Sequence, residues 1–351
     1  MRVATLTELA SGVDALYLSG RAAPPASLLE RLESARTEAV ALDARPPFQF
    51  GALEMRIAPH SFGKYRYCLD HPYGRIGLTP SSKLPALRIQ PRAEFLHGIG
   101  AEATVDAFRD LIEAEVGPVR LSVSRLDLFA DFQGWALSGD DRGHFLCRAR
   151  DTATYEADED LRGLQFGKRS SGTVSARLYD KTEEMTSSGS NYWLDIWGER
   201  CDRDRPVLRV EFELGRVALR EFGLDTPEDV LAATGSLWTY LTSKWLTYRT
   251  PTIDATKSRW PLAPEWESVT RASVADSSHG IERMYAGKRR GQLINLMPGL
   301  VGYLASFGAL TDSPDFARMI PVLAEFLNRY ARDSGKTLDW RIFLKQQALG
   351  A

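Results

Sequence analysis

Cysteine is scarce in this chain: Cys68, Cys147 and Cys201 are the three in 351 residues, far apart and without CxxC or Cys/His ligand spacing. A zinc site and a disulfide framework are therefore not indicated, and free thiols are expected. Histidine is nearly as sparse. His60, His71, His97, His144 and His279 are the five, none two positions from another, so a His-x-His metal motif is absent and each reads as a surface or packing residue. No apolar run approaches the ~20 residues of a spanning helix. The N-terminal MRVATLTELASGVDALYLSG carries acidic residues where a signal peptide would have its apolar core. A cytoplasmic protein with no membrane partner is the expectation. A surplus of positive charge is lacking too: 44 Lys and Arg against 46 Asp and Glu give a net charge of -2, which offers a polyanion no global attraction. A nucleic-acid binder of this composition needs its cations concentrated locally. Arg162, Lys168, Arg169, Arg177 and Lys181 form one candidate group, and Lys288, Arg289 and Arg290 another.

What is present is ordinary globular composition, 44% hydrophobic and 26% charged, in a chain long enough for one large domain or two smaller ones. Val13–Ser19 alternates as a strand, and Ala26–Val40 has helical spacing of Leu28, Leu29, Leu32 and Ala35. Phe48–Ile57, Lys64–Leu69, Arg75–Leu78 and Ala86–Ile89 read as a meander of short strands. Ala101–Val116 is an amphipathic helix leading into a long strand, Val119–Phe132, and Gly163–Lys168, Thr173–Lys181 and Val207–Leu214 are further strands. From Leu224 the texture becomes helical, with helices over Ser236–Thr247, Gln292–Phe307, Pro314–Ala331 and Trp340–Leu349, while Thr250–Trp266 reads as a connecting loop. The predicted class is α+β: a mainly antiparallel central sheet with flanking helices over residues 1–223, then a helical region over 224–351.

Side chains two apart on a strand share a face. In SRLDLFADF, Leu126, Leu128, Ala130 and Phe132 lie on one side and Arg125, Asp127 and Asp131 on the other. In TVSARLYDK, Val174, Ala176 and Leu178 oppose Arg177, Tyr179 and Lys181; in VLRVEFEL, Leu208, Val210, Phe212 and Leu214 oppose Arg209, Glu211 and Glu213. Charges of both signs around one tyrosine are either the solvated decoration of half-buried strands or a site, and parity alone does not choose. Two details bear on the second: acids at i and i+4 can cradle a hard divalent cation, and a tyrosine with Arg at i-2 and Lys at i+2 has neighbours able to stabilise a phenolate and hold phosphate oxygens.

The ordered segments SRLDLFADF, GLQFGKRSSGTVSARLYDKTEE and LRVEFELGR resemble the replication initiation factor (Rep_trans) family, which includes rolling-circle plasmid and phage initiators and MobT-type relaxases. Arg125, Asp127 and Asp131 match its RxDxxxD strand; Phe166, Gly167, Arg169 and Ser171 its FGxRxS stretch. Leu178 to Lys181 with Glu184 match (I/V/L)YDKxxE, and Arg209 and Glu211, with Arg216 slightly shifted, match RxExxxR. The likeness spans roughly residues 14–224 and leaves the C-terminal third unmatched.

The resemblance implies an enzyme that nicks origin DNA through Tyr179, forming a 5′-phosphotyrosine link and a free 3′-OH. Lys181, Arg177 and Arg125 would assist the tyrosine, by orienting phosphate or lowering its pKa from ~10. Mg2+ or Mn2+ held by Asp127, Asp131 and Glu211 would polarise the phosphate. Lys168, Arg169, Ser171 and Arg209, with Lys288, Arg289 and Arg290, are the candidate DNA contacts. Single-stranded or hairpin origin DNA is the implied partner; a host helicase and a second copy of the chain are candidate partners. The alternatives are a relaxase initiating conjugative transfer, a non-catalytic DNA-binding regulator and an unrelated metal-dependent phosphoesterase. Tyr192, Tyr240 and Tyr248 are competing tyrosines expected to pack, and Trp193 and Trp197 are expected to pack beside Tyr192. The segment GKRSSG lacks the order of a phosphate-binding P-loop and precedes a strand, so nucleotide binding is not expected.

Overall fold

The structure, a computed structural model, describes residues 6–157, 160–275, 304–334 and 342. Its centre is one antiparallel sheet of eleven strands in the order β2-β3-β4-β5-β6-β1-β7-β12-β11-β10-β9. Each half of the sheet follows the same plan: a long first strand, an excursion to the far edge, and a meander back to the centre. In the first half β1 (Thr7–Arg21) leads through helix α1 (Ala26–Leu42) to β2 (Pro47–Phe50), β3 (Leu53–Ile57), β4 (Tyr67–His71), β5 (Gly74–Leu78) and β6 (Leu87–Pro91), which returns beside β1. Helices α2 (Ala93–Ile99) and α3 (Ala101–Val116) then carry the chain to β7 (Arg120–Gln133). After the short β8 (Phe145–Cys147), the second half runs through β9 (Thr152–Ala157), β10 (Asp160–Phe166) and β11 (Val174–Asp180) to β12 (Leu208–Gly215), which pairs with β7. The two long strands β1 and β7 pair along nearly their whole length and join the halves.

Alternation decides the faces. Leu126, Leu128 and Ala130 of β7, Val210, Phe212 and Leu214 of β12, and Ala176 and Leu178 of β11 are buried in one core with Leu28 and Leu32 of α1 and Val105, Phe108 and Ile112 of α3. The sequence places α3 at its observed bounds because Val105, Phe108, Leu111 and Ile112 recur at helical spacing, with glycines at 100 and 117 flanking it. The core continues past Leu224: Val230, Leu237, Trp238, Trp266 and Val269 belong to it, so the boundary expected there does not coincide with a break in packing. The helix expected over residues 236–247 is divided. It becomes a helix Thr234–Tyr240, a π-helical turn Leu241–Trp245, and a strand Leu246–Tyr248 that pairs with β8. The loop expected over residues 250–266 ends early, because a helix, Pro264–Thr270, begun by its proline, takes its last three residues. The expected helix over residues 314–331 is present as Phe316–Ser334. Lys288, Arg289 and Arg290 and most of the helices expected over 292–307 and 340–349 lie outside the described residues. No helix among the described residues is long and apolar enough to cross a membrane.

Candidate active site on the polar face of the sheet

The three strands read by parity are neighbours, in the order β7-β12-β11, and their registers align the polar residues in transverse rows. Asp131 lies opposite Arg209, and Arg209 opposite Tyr179. One step along, Phe129, Glu211 and Arg177 are aligned, and beyond them Asp127, Glu213 and Ser175. Arg177, Tyr179, Arg209, Glu211, Asp127, Asp131 and Arg125 thus share one face.

The Tyr179 hydroxyl donates to Glu211 Oε2 at 2.9 Å. Arg177 donates to both oxygens of the same carboxylate, at 2.7 and 2.9 Å, and its guanidinium lies 4.9 Å from the centre of the Tyr179 ring. The two neighbouring cations predict a phenol that ionises easily. The opposite holds: burial raises the Tyr179 pKa well above its ordinary value and the Glu211 charge adds to it, outweighing Arg209 and Arg177. The hydroxyl therefore stays protonated, with a carboxylate in place to accept its proton.

Lys181 is expected on the strand, but β11 stops at Asp180. The Asp180 side chain accepts the backbone N–H groups of Thr182 and Glu183 and so caps the helix α4 (Lys181–Ser188). Lys181 is nevertheless kept at the site: it is buried, bonded to Glu184, with its ammonium 5.0 Å from the Trp193 ring and 6.0 Å from that of Tyr179. Arg125 is placed otherwise than expected. Its guanidinium is bound to Asp127 and lies 3.1 Å from Glu213, remote from the tyrosine row, and it packs 5.1 Å from the Tyr17 ring.

Arg209, expected to contact DNA, is instead wholly buried. Its Nε and one terminal nitrogen donate to Asp131 at 2.6 and 2.7 Å, and the other donates to Asp14 at 2.9 Å. Trp193 and Phe129 cover it, with ring centres 3.9 and 4.2 Å from the guanidinium carbon. A helix α5 (Tyr192–Trp197) lays Trp193, Ile196 and Trp197 over this part of the sheet, against Phe129, Leu9 and Met185. The two tryptophans thus pack, as expected, and Trp197 also donates its Nε1 to Asp131 at 2.8 Å.

Two members of the site carry no signal in the motifs. Asp14 sits at a β-bulge: Val13 pairs with Leu128 and Ala15 with Asp127, leaving Asp14 as the extra residue of β1. Burial alone would raise its carboxyl, but Arg209 and a 3.2 Å hydrogen bond with His97 outweigh this and hold it well below the usual carboxylate range. His97, on α2, is itself buried, and that burial lowers its pKa against the pull of Asp14.

The three carboxylates expected to share a divalent ion do not fit one cradle. Both oxygens of Asp131 are taken by Arg209, one of them also by Trp197. Among the described residues no three His, Cys, Asp or Glu side chains are grouped as metal ligands. Asp127 and Glu211 are diagonal neighbours. Burial first, and then the nearby Glu211 charge, push the Asp127 carboxyl up to about 7 despite Arg125.

At the near edge lies the loop between β10 and β11. Lys168, Arg169 and Ser171 are exposed there, Arg169 is 3.6 Å from Glu213, and the Ser170 N–H donates to Glu213 at 2.5 Å. The loop crosses the end of β12 at Gly215, where any side chain would meet the Gly172 backbone at 2.4 Å. The close approach requires glycine there.

No family model matches the chain, and no curated protein does. Among solved structures the fold is similar to that of a rolling circle replication initiator protein from Geobacillus stearothermophilus, at 16% identity and a TM-score of 0.44, covering 79% of this chain and 98% of that one.

Proposed function

We propose that the chain is a rolling-circle replication initiator that nicks origin DNA with Tyr179 as nucleophile. One observation carries this: the Tyr179 hydroxyl is bonded to Glu211 Oε2 at 2.9 Å on a sheet face where Arg177 and Lys181 flank the ring. A buried tyrosine hydroxyl commonly finds an acceptor, as Tyr248 does in Asp141; what sets Tyr179 apart is that its carboxylate is shared with Arg177 and that two cations lie at its ring. Glu211 takes the proton as the phenolic oxygen attacks phosphorus, so no phenolate need exist beforehand. The bond from phosphorus to the 3′ oxygen breaks as the bond to Tyr179 forms. The products are a 5′-phosphotyrosine and a 3′-OH that takes up a proton. Arg177, already at the carboxylate, offsets charge gathering on the phosphate oxygens. Arg209 acts at a distance, holding Asp14, Asp131 and the strand register around Tyr179.

Mg2+ or Mn2+ belongs to the same proposal: Asp127 and Glu211 would hold it in exchange for their pairs with Arg125 and Arg177, which occupy both oxygens of each, while Asp131, enclosed by Arg209 and Trp197, stays the anchor of Arg209. Such an ion would supply Lewis-acid polarisation of the phosphate. A relaxase starting conjugative transfer would use the same nick, and no feature of the site favours it over replication.

The test uses single-stranded origin DNA labelled on the phosphate 3′ to the nick, incubated with wild type and with Tyr179→Phe and resolved on a denaturing gel. Label should remain on the wild-type protein, disappear with Tyr179→Phe, and fall sharply in excess EDTA. A labelled adduct on the Tyr179→Phe protein would refute the assignment, and full nicking in EDTA would remove the metal from it.

A further inference from the structure

The face that carries Tyr179 continues across β1 into the first half of the sheet, where its charges change character. Asp70 on β4 is the carboxylate for three arginines at once: Arg45 at 3.2 Å, Arg75 at 3.6 Å and Arg92 at 2.8 Å. These arginine side chains are 37–50% exposed, whereas Asp70 is 13% exposed. Arg88 on β6, one strand away from Arg75, makes no ion pair among the described residues. Its guanidinium lies 4.4 Å from the centre of the Phe62 ring, and that of Arg75 lies 5.2 Å from the same ring. Phe62 itself is half-buried, seated over Gly77, where a side chain would collide with it and with Tyr65. One carboxylate against four arginines is a local surplus of about three charges in a chain whose net charge is -2.

We infer that this end of the sheet, formed by β4, β5, β6 and the loop bearing Phe62, is a docking surface for single-stranded nucleic acid. Arginines that share one carboxylate keep N–H donors free for phosphate oxygens, and an aromatic ring with guanidinium planes beside it offers flat surfaces on which unpaired bases stack. The surface is needed because the tyrosine site cannot attract DNA unaided. Its arginines are already neutralised by Asp14, Asp127, Asp131, Glu211 and Glu213. β5 lies five strands from β11, about 24 Å at ~4.8 Å per strand, which sets the length of the path that a strand docked here spans to reach Tyr179. That path rests on the nicking function proposed above; the charge surplus does not.

The experiment measures binding of a labelled oligothymidylate to the full chain by anisotropy over a range of salt. The proteins compared are wild type, Arg75→Gln/Arg88→Gln, Phe62→Leu and a control, Arg271→Gln, with thermal unfolding to show that each is folded. The double variant should bind about ten-fold more weakly at ~0.1 M salt, with a salt slope lower by about 1.4, or ~0.7 for each phosphate no longer neutralised. Phe62→Leu should bind several-fold more weakly at an unchanged slope, and blunt duplex should not register that substitution. A folded double variant with wild-type slope and affinity would overturn the surface, and Phe62→Leu weakening duplex and single strand alike would overturn its single-strand character. The labelled adduct on Tyr179, scored separately, reports the nicking activity. An adduct with an unchanged salt slope sinks only the surface, and a lowered slope with no adduct sinks only the nicking.

Discussion

Across β7, β12 and β11, every arginine on the polar face has a carboxylate of its own and most of those carboxylates are buried; across β4, β5 and β6, three half-exposed arginines share one aspartate and a fourth has none among the described residues. The two halves share a strand plan and one continuous face, yet their charges have opposite consequences. In the second half, helix α5 removes the Arg209–Asp131 pair from water, so its attraction is strong and its desolvation is costly, and each partner depends on the other. In the first half the side chains remain wet, their mutual energy is small, and what survives is a field that an anion can feel. Pairing and burial, more than the count of charges, separate a scaffold from a docking surface.

Arg209 gives that contrast its largest expected effect. Arg209→Met leaves Asp131 buried without its cation and Asp14 without its ion pair, and should cost about 3–5 kcal/mol of unfolding free energy in urea. Arg75→Gln, in the other half, should cost less than about 1 kcal/mol. Decreases of similar size in the two variants would erase the distinction between the halves.

Asp14 sharpens it through pH. The carboxyl titrates below its unfolded value of ~3.9, so its ion pair contributes stability above that value and loses it as the pH falls toward the lower folded pKa. Asp14→Asn should therefore destabilise the protein by about 2 kcal/mol at neutral pH, and the gap to wild type should hold steady down to ~pH 4 and close only below it. A gap that widens on acidification would mean that the carboxyl is not held ionised by Arg209 and His97.

How far the sequence could be read follows from the same geometry. Parity along β7, β11 and β12 needs only local alternation, and the registers place Arg177, Tyr179, Arg209 and Glu211 as it predicts. It fails at Asp14, because alternation through Val13, Ala15 and Tyr17 sends Asp14 to the core side with Leu16 and Leu18; the bulge that returns it to the polar side leaves no mark in composition. Phe129 has the polar parity but gives no sign of its role, since its cover, Trp193, lies 64 residues further along the chain. Burial of Arg209 is illegible for that reason too, and with it the engagement of Asp131 that leaves it unable to serve as a free metal ligand. The arginine surplus of the first half is scattered from Arg45 to Arg92 and looks ordinary until the registers of β4, β5 and β6 gather it around Asp70.

The smallest expected effect comes from Asp70. With three arginines around it, Asp70 is the carboxylate whose removal increases the surplus of positive charge on that surface. Asp70→Asn keeps the size of the side chain and much of its hydrogen bonding, so stability should change by less than about 1 kcal/mol, as for a partly exposed pair. Affinity for oligothymidylate should rise about two- to three-fold at low salt, because the guanidinium groups no longer divide their donors between a carboxylate and phosphate. The gain should fade at high salt as screening shortens the reach of the added charge. The direction of this change is what makes it informative. If the arginines touch the strand, removing their shared carboxylate must strengthen binding; if Asp70 serves instead to hold them in the only geometry that binds, Asp70→Asn will weaken it, and the first half of the sheet will have to be described, like the second, as a paired scaffold.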